Sequence, residues 1–285
     1  MRYACIHRRR HQHSVRTMSR LLRVSRSGYY DWCQRGESAR SRRDRELTQY
    51  IRRLHLESNG VYGARKIHRE LLDMGELCGR HKVARLMRKA GLKGCPKRRF
   101  RVTTRRGGAP ASNLLEQNFT ATTMNERWAS DITFIWTRQG WLYLAVVMDL
   151  YSRRIIGWSM SRRINRHIVV NALNMALGQR RPGEDLIHHS DRGSQYLSDD
   201  FQDLLKRNSI TCSMSDKGSC YDNAVVESFF ALLKRERVRR RTYKTREEAT
   251  ADIFDYIECF YNRKRSHTYL DYLSPVQYEN QAMRT

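Results

Sequence analysis

Apolar residues change their spacing near residue 127. Upstream they recur every three or four positions, as in Leu47, Ile51 and Leu54, then Ile67 and Leu71, then Val83, Leu86 and Met87, which is the period of helices with one buried face. This predicts a three-helix unit from Asp44 to about Gly91, with Gly60 and Gly63 at its first break. Nearer the start, Ser14 to Leu22, a turn around Val24-Ser25, and Ser27 to Trp32 form a short helix-turn-helix pattern, whose expected apolar core is Met18, Leu21, Leu22, Val24 and Tyr29. Downstream the pattern turns to β-branched and aromatic runs. Arg127 to Trp136, Trp141 to Asp149 and Ile155 to Met160, broken at Arg138-Gln-Gly140 and Tyr151-Ser152, predict a meander of three strands. A helix over Asn165 to Gly178, a strand ending at Ser190, a helix over Ser198 to Arg207 and a strand from Thr211 to Ser215 follow. Asp222 and Asn223 are both good N-caps for a helix from Ala224 to about Arg237. Thr245-Arg-Glu-Glu248 is a capping box for a helix reaching about Asn262, and Ser274-Pro275 opens a short last one. Strands first and alternation afterwards make the second half an α/β arrangement behind all-α modules.

Charge divides the chain at nearly the same place. Residues 1–110 hold 30 Lys/Arg against 8 Asp/Glu, so +22 of the net +26 lies in the first third. A polyanion bound through many phosphate contacts, weakening steeply with salt, is the natural partner of such a segment. Composition alone narrows the partner only to something anionic. The helical units and the α/β part are joined by Lys97 to Ser112, rich in Arg, Gly and Pro and without apolar period, which reads as a linker that folds onto DNA. The division expected is therefore 1–40 helix-turn-helix-like, 41–93 a basic three-helix DNA-binding module, 94–117 a basic linker, 118–263 the α/β core and 264–285 a tail with a short helix. Arg65, Lys66, Arg98, Arg99, Arg105 and Arg106 are the candidate DNA contacts of this basic third. The helices of 41–93 are open to a second reading, in which they only brace the core or a second subunit. A further cluster, Lys234 to Arg246, carries eight Lys/Arg with only Glu236 opposing, and either follows DNA away from the site or is a solvated helix end.

Three acids carry the candidate chemistry. Asp131 falls within a strand otherwise apolar and aromatic, where a charge needs a partner. Asp191 follows the short run Leu186 to Ser190 and emerges at a strand's carboxyl end, where open α/β sheets place their sites. Glu227 lies in or near the first turn of its helix, and Lys234, seven residues on, returns to nearly the same face about 10 Å along the axis. Magnesium and manganese take oxygen ligands and are held by a few carboxylates plus the phosphate under attack, so three converging acids suit a two-metal phosphoryl-transfer site. The 35-residue gap between Asp191 and Glu227 is weak by itself, because 29 acids in 285 residues produce about two or three such pairs by chance, and the local contexts decide.

Those contexts resemble the insertion-sequence family three transposases, whose integrase core is like that of retroviruses. The stretches that carry the likeness are Trp128 to Thr133, Val147 to Trp158, His189 to Tyr196, Ser219 to Phe230, Tyr261-Asn-Arg, Leu273 to Tyr278 and, upstream, Val24 to Trp32 and Tyr62 to Ile67, so nearly the whole chain is covered. The resemblance implies a ribonuclease-H-like mixed sheet with flanking helices, Asp131, Asp191 and Glu227 as the metal-binding catalytic triad, and Lys234 as a contact to the DNA end. It further implies two Mg²⁺ or Mn²⁺ ions, cleavage and joining of element DNA ends by hydrolysis and then 3′-hydroxyl strand transfer, and a homo-multimer on double-stranded element and target DNA. A partner product from an upstream frame is a further expectation, since no heptad run is found here. Two other classes use the same residues: a ribonuclease-H-like nuclease or resolvase, and a DNA-binding repressor with an inactive core.

The seven cysteines are scattered without a CxxC, and Cys5 with His7, His11 and His13 lacks the paired spacing of a zinc site. His188 and His189 stand beside Asp191, either against metal or phosphate or merely hydrogen-bonded at a strand end. With no signal-peptide pattern and no run of transmembrane length, the expected location is cytoplasmic and nucleoid-associated.

Overall fold

The computed structural model describes residues 2–96, 121–214 and 224–284. The expected linker with Arg98, Arg99, Arg105 and Arg106, and the expected caps Asp222 and Asn223, lie outside the described residues.

Five strands form one mixed sheet in the order β3-β2-β1-β4-β5: β1 Arg127–Thr137, β2 Gly140–Asp149, β3 Ile155–Ser161, β4 Ile187–Ser190 and β5 Thr211–Met214. β1, β2 and β3 pair antiparallel as a meander, whereas β4 joins β1 and β5 joins β4 in parallel. This is the ribonuclease-H-like arrangement expected. The meander's last turn is held by Asp149, a fully buried carboxylate that accepts from the Asn125 and Tyr151 amides at 3.0 and 2.9 Å. Its acid is thus committed to backbone, which is how a buried charge is normally retained.

Helices cover both faces. Helices α7 (Arg166–Gln179) and α8 (Asp199–Arg207) bury Ile168, Val169, Leu173, Phe201 and Leu205 against Trp128, Ala145, Val147 and Ile156. α7 lies unusually close to β3 at Gly157: a Cβ there would collide with the Ala172 carbonyl oxygen and come within 2.8 Å of the Ala176 nitrogen. The opposite face packs on α9 (Ala224–Glu236) and α10 (Arg246–Phe254), the latter continuing as a π-helical stretch, Asp255–Tyr261, inside the span expected to be one helix. The wider turn keeps Tyr256, Ile257, Phe260 and Tyr261 all buried and delivers Asn262, whose carboxamide accepts from and donates to Ile155 at 3.0 and 2.9 Å. One side chain thereby satisfies the open backbone groups at the start of the edge strand β3.

Upstream, α4 (Ala39–Glu57), α5 (Ala64–Asp73) and α6 (Arg80–Lys89) bury Leu47, Ile51, Leu54, Ile67, Leu71, Val83, Leu86 and Met87, as their spacing predicts. Their core does not stop at the module's edge. It runs without a break into Phe229, Tyr256 and Phe260 of the α/β half. Polar ties reinforce the junction, since the Tyr62 hydroxyl donates to Lys264 O (3.0 Å) and accepts from Ser266 N (2.7 Å). Beneath it, buried Glu236 receives Arg265 through two hydrogen bonds of 2.9 and 2.7 Å and the Tyr256 hydroxyl at 2.8 Å. Residues 264–284, set apart in the sequence as a tail, belong to this packing: α11 (Pro275–Ala282) starts on a capping box at Ser274, and its buried Glu279 binds Ser152 and Arg154 at 2.7 Å each.

The first three helices are α1 (Arg2–Arg9), α2 (Val15–Leu21) and α3 (Arg26–Gln34), built on a separate small core of Ile6, Met18 and Tyr29. α1 carries no period long enough to reveal it in the sequence. Leu21, expected in that core, is 73% exposed, because α2 ends there and Leu22 turns inward in its place.

Gly157→Ala should lower the unfolding free energy by about 2 kcal/mol or more, because the added methyl meets backbone that cannot move aside. Urea unfolding of the variant measures it, and wild-type stability would refute the close approach of α7.

Candidate active site

Each of the three acids reaches its position for a local reason. Asp131 is the fifth residue of β1, on the strand face turned toward α9 and α10 with Ala129, Thr133 and Ile135. Asp191 directly follows β4, and its Oδ1 accepts from Gly193 N at 3.0 Å, a tight turn that fixes the carboxylate at the strand's end. Glu227 occupies the first turn of α9 and Lys234 its last. β1 and β4 are parallel neighbours, with Ala129 opposite His189, so the two aspartates leave adjacent strands in the same region.

Asp131 lies within the electrostatic field of the other groups. Burial pushes the Asp131 carboxyl up to about 7, opposed by the Ile132 amide it accepts from at 2.7 Å and reinforced by the charges of Asp191 and Glu227. Burial also raises Glu227. Lys234 is lowered by burial and by Arg239 nearby, while Asp131 attracts its charge. One carboxylate therefore senses both other acids and the lysine. Among the described residues, no three His, Cys, Asp or Glu side chains are already gathered at metal-ligating distance. The acids stand as neighbours, not as a closed cage.

Their chemistry fits a hard divalent cation. All donors are carboxylate oxygens, the type that magnesium and manganese prefer. A cation among them would offset the burial, and the smaller repulsion from Asp191 and Glu227, that raise the Asp131 carboxyl.

The histidines before Asp191 serve the fold. His188 is buried, pushed down to about 3 by desolvation and then by His189, and its Nε2 lies 2.7 Å from Ser130 Oγ. His189 Nδ1 lies 3.0 Å from Ser213 Oγ on β5. Both side chains are spent on cross-strand contacts. One residue to which sequence reasoning assigned no role is Tyr196: fully buried, it presents a hydroxyl without a hydrogen-bond partner among the described residues, in the field of Asp131 and Asp191. The only signal was its place at the end of the His189 to Tyr196 stretch.

The cationic candidates divide. Arg65 is exposed on α5. Lys66 is not available to DNA: its ammonium donates to Ser266 O at 2.6 Å and stands 4.8 Å above the Tyr62 ring, because α5 turns that position toward the α/β half. The basic cluster after Lys234 is mixed: Arg237 is buried, whereas Arg239, Arg240, Arg241 and Lys244 are exposed, some of them tied to the protein. Arg237 is buried against Asp252 and Asp255 at 2.9 and 2.6 Å, Arg241 pairs with Asp252, and Arg240 donates to Asn59 O at 2.9 Å. Arg239 is exposed beside Lys234.

An integrase core domain model matches residues 121–220, a second integrase core domain model matches 227–283, and an HTH-like domain model matches 41–100. The chain is similar to the transposase InsF for insertion sequence IS3A of Escherichia coli K12, 45% identical over 284 residues and covering 98% of this chain and 99% of the relative. It is also similar to an uncharacterized 31 kDa protein of insertion element IS600 from Shigella sonnei, 41% identical over 263 residues, 92% of this chain and 97% of that one. Among solved structures, the HTLV-2 integrase catalytic core domain in complex with magnesium aligns with a TM-score of 0.43 at 15% identity, covering 56% of this chain and 99% of that one.

Lys66 supplies a pH test of the junction between the modules. Burial, helped by the Arg265 charge, lowers its ammonium to about 7 from 10.5. Between those values the unfolded chain binds the extra proton, so stability should rise with pH across that window. Lys66→Met abolishes this titration. Its stability relative to wild type should be most favourable near pH 6 and should decline by about 2 to 4 kcal/mol toward pH 10. Urea unfolding at both pH values reads the difference, and a pH-independent difference would mean that the ammonium is solvated.

Proposed function

This chain belongs to the IS3 family of transposases, and we propose that Asp131, Asp191 and Glu227 are the acids at which it cleaves and joins the DNA ends of its element. It is a DNA transposase, hence a polynucleotidyl transferase, and its integrase core family is dependent on divalent metal. The observation that carries the finer reading is the field at Asp131, which takes in two further acids from β4 and α9 together with Lys234.

In this reading the three carboxylates hold two magnesium or manganese ions, which when bound lower the pKa of a water or DNA 3′-hydroxyl and offset charge on the leaving oxygen. The chain's own groups do the rest. Asp131 would hold such a cation as its carboxylate. Gly193 N–H keeps the Asp191 carboxylate aimed along the strand end. Lys234 and Arg239 meet the phosphates of the bound end, one helical stretch away from Glu227. Tyr196 stands buried in the field of Asp131 and Asp191. No side-chain nucleophile is required, because water serves the cutting step and a DNA hydroxyl the joining step.

Joining two ends to one target needs more than one acid set, so the working form is a multimer on paired ends. A product of an upstream frame would add the zipper for which this sequence has no heptads. No helix among the described residues is long and apolar enough to cross a membrane, and we place the chain in the cytoplasm, on the nucleoid.

Asp131→Asn, Asp191→Asn and Glu227→Gln should each reduce strand cutting and joining by about a hundredfold or more. Full activity in any one of them removes that residue from the role. Magnesium should raise the melting temperature of the wild type and leave Asp131→Asn unmoved, a readout independent of turnover. Lys234→Ala should keep the magnesium-induced shift and lose affinity for element-end DNA, with a shallower salt dependence. Unchanged end affinity would contradict the lysine's assignment.

A further inference from the structure

Building on the reading that DNA is the substrate, we propose that the N-terminal unit, residues 2–34, reads double-stranded DNA sequence by laying α3 in the major groove. The matched HTH-like region covers residues 41–100 and does not include this unit.

Three observations carry the inference. The first is geometry. α2 and α3 are joined by Leu22–Ser25, a link that turns sharply because Arg23 adopts φ 50°. Both helices start on serine caps, Ser14 accepting from Thr17 N and Ser25 from Gly28 N, each at 3.2 Å. α1 lies across them, so close to α3 that a Cβ at Gly28 would run into the Tyr3 hydroxyl. Three short helices with the third presented outward is the docking form of helix-turn-helix proteins.

The second is the outer face. Ser27, Tyr30 and Gln34 are exposed and fall within about 60° of one another around α3, on the side away from buried Tyr29. Hydroxyl and carboxamide side chains are the groups that exchange hydrogen bonds with base edges. The third is charge. The unit holds eight arginines against the single acid Asp31. Arg16 and Arg20 on α2, Arg23 in the turn and Arg26 at the start of α3 are exposed, and no ion pair engages them among the described residues. Such cations suit the phosphates on either side of an occupied groove.

The family-matched module has spent some of its basic groups on the protein itself, although Arg65, Arg80, Arg88 and Lys89 are exposed. On α6, Lys82 and Arg85 bind Asp44 at 3.0 and 2.6 Å, and on α5 Lys66 binds Ser266. Its core is continuous with the α/β half, whereas the N-terminal unit closes around its own.

The test selects binders of the full chain from a duplex pool with a randomised centre. Wild type should enrich one sequence, and the Ser27→Ala/Tyr30→Ala/Gln34→Ala chain should lose that enrichment by about tenfold or more. Its affinity for the unselected pool should change far less. Exposed positions make misfolding a poor excuse, and an unchanged melting temperature checks it. Arg16→Ala/Arg20→Ala should weaken binding to selected and unselected duplexes alike and reduce the salt slope. Enrichment of the same sequence by the triple variant overturns the assignment, and so does a wild type that enriches nothing. Asp131→Asn should enrich the wild-type sequence. If that variant still cuts DNA, the acid assignment falls while the reading helix stands on its own result.

Discussion

Burial of a carboxyl group at Asp131, with two more acids in its field, is the constraint around which the second half of this molecule is organised. A carboxylate inside a strand, with two more acids in its field, is unfavourable in the protein alone and is held there only because the surrounding framework is stiff. That stiffness comes from parallel pairing of β1 with β4, from α9 packed through Val226, Phe229 and Leu233, and from the buried Glu236–Arg265 pair near that helix's end. The same helix that carries Glu227 is thus anchored at its far end by an acid of a different kind, one fully satisfied by its own protein. The acid at this end is paired with an arginine of its own protein, unlike the acids proposed to hold a cation at the other.

Several polar residues of the second half prove to be architecture. Asn262 caps the edge of β3, Glu279 receives arginine from the β2–β3 turn, Asp149 holds the same turn, and His188 and His189 stitch β1, β4 and β5 together. Gly157 is small because α7 leaves no room for more. These residues hold the sheet that carries the acids, so their loss would act through the sheet.

Much of this was legible beforehand because periodicity reports burial directly. The strand meander, the alternating second half and the apolar stripes of α4–α6 all follow from which side of an element faces water. The local settings of Asp131, Asp191 and Glu227 were equally readable, since a charge in an apolar strand and an acid just after a strand are visible in a line of letters. Sequence could not show where cations go. Lys66 and Arg237 look like any exposed basic residue until the fold supplies Ser266, Asp252 and Asp255 as partners from far along the chain. The π-helical stretch at Asp255–Tyr261 was hidden for a similar reason, because one extra residue per turn is imposed by packing and leaves no local signal.

The continuous core across Tyr62 and Phe260 bears on how such proteins diversify. A helical module that ends in a clean polar surface can be traded between genes like a cassette. This one cannot, because its hydrophobic interior is continuous with aromatic side chains some two hundred positions later, and recombination at the intervening segment would leave each parent's Tyr62 facing a stranger's Lys264 and Ser266. Lineages of this architecture are therefore expected to inherit residues 39–96 and 224–284 as a co-adapted pair, while the self-contained first 34 residues are free to be replaced.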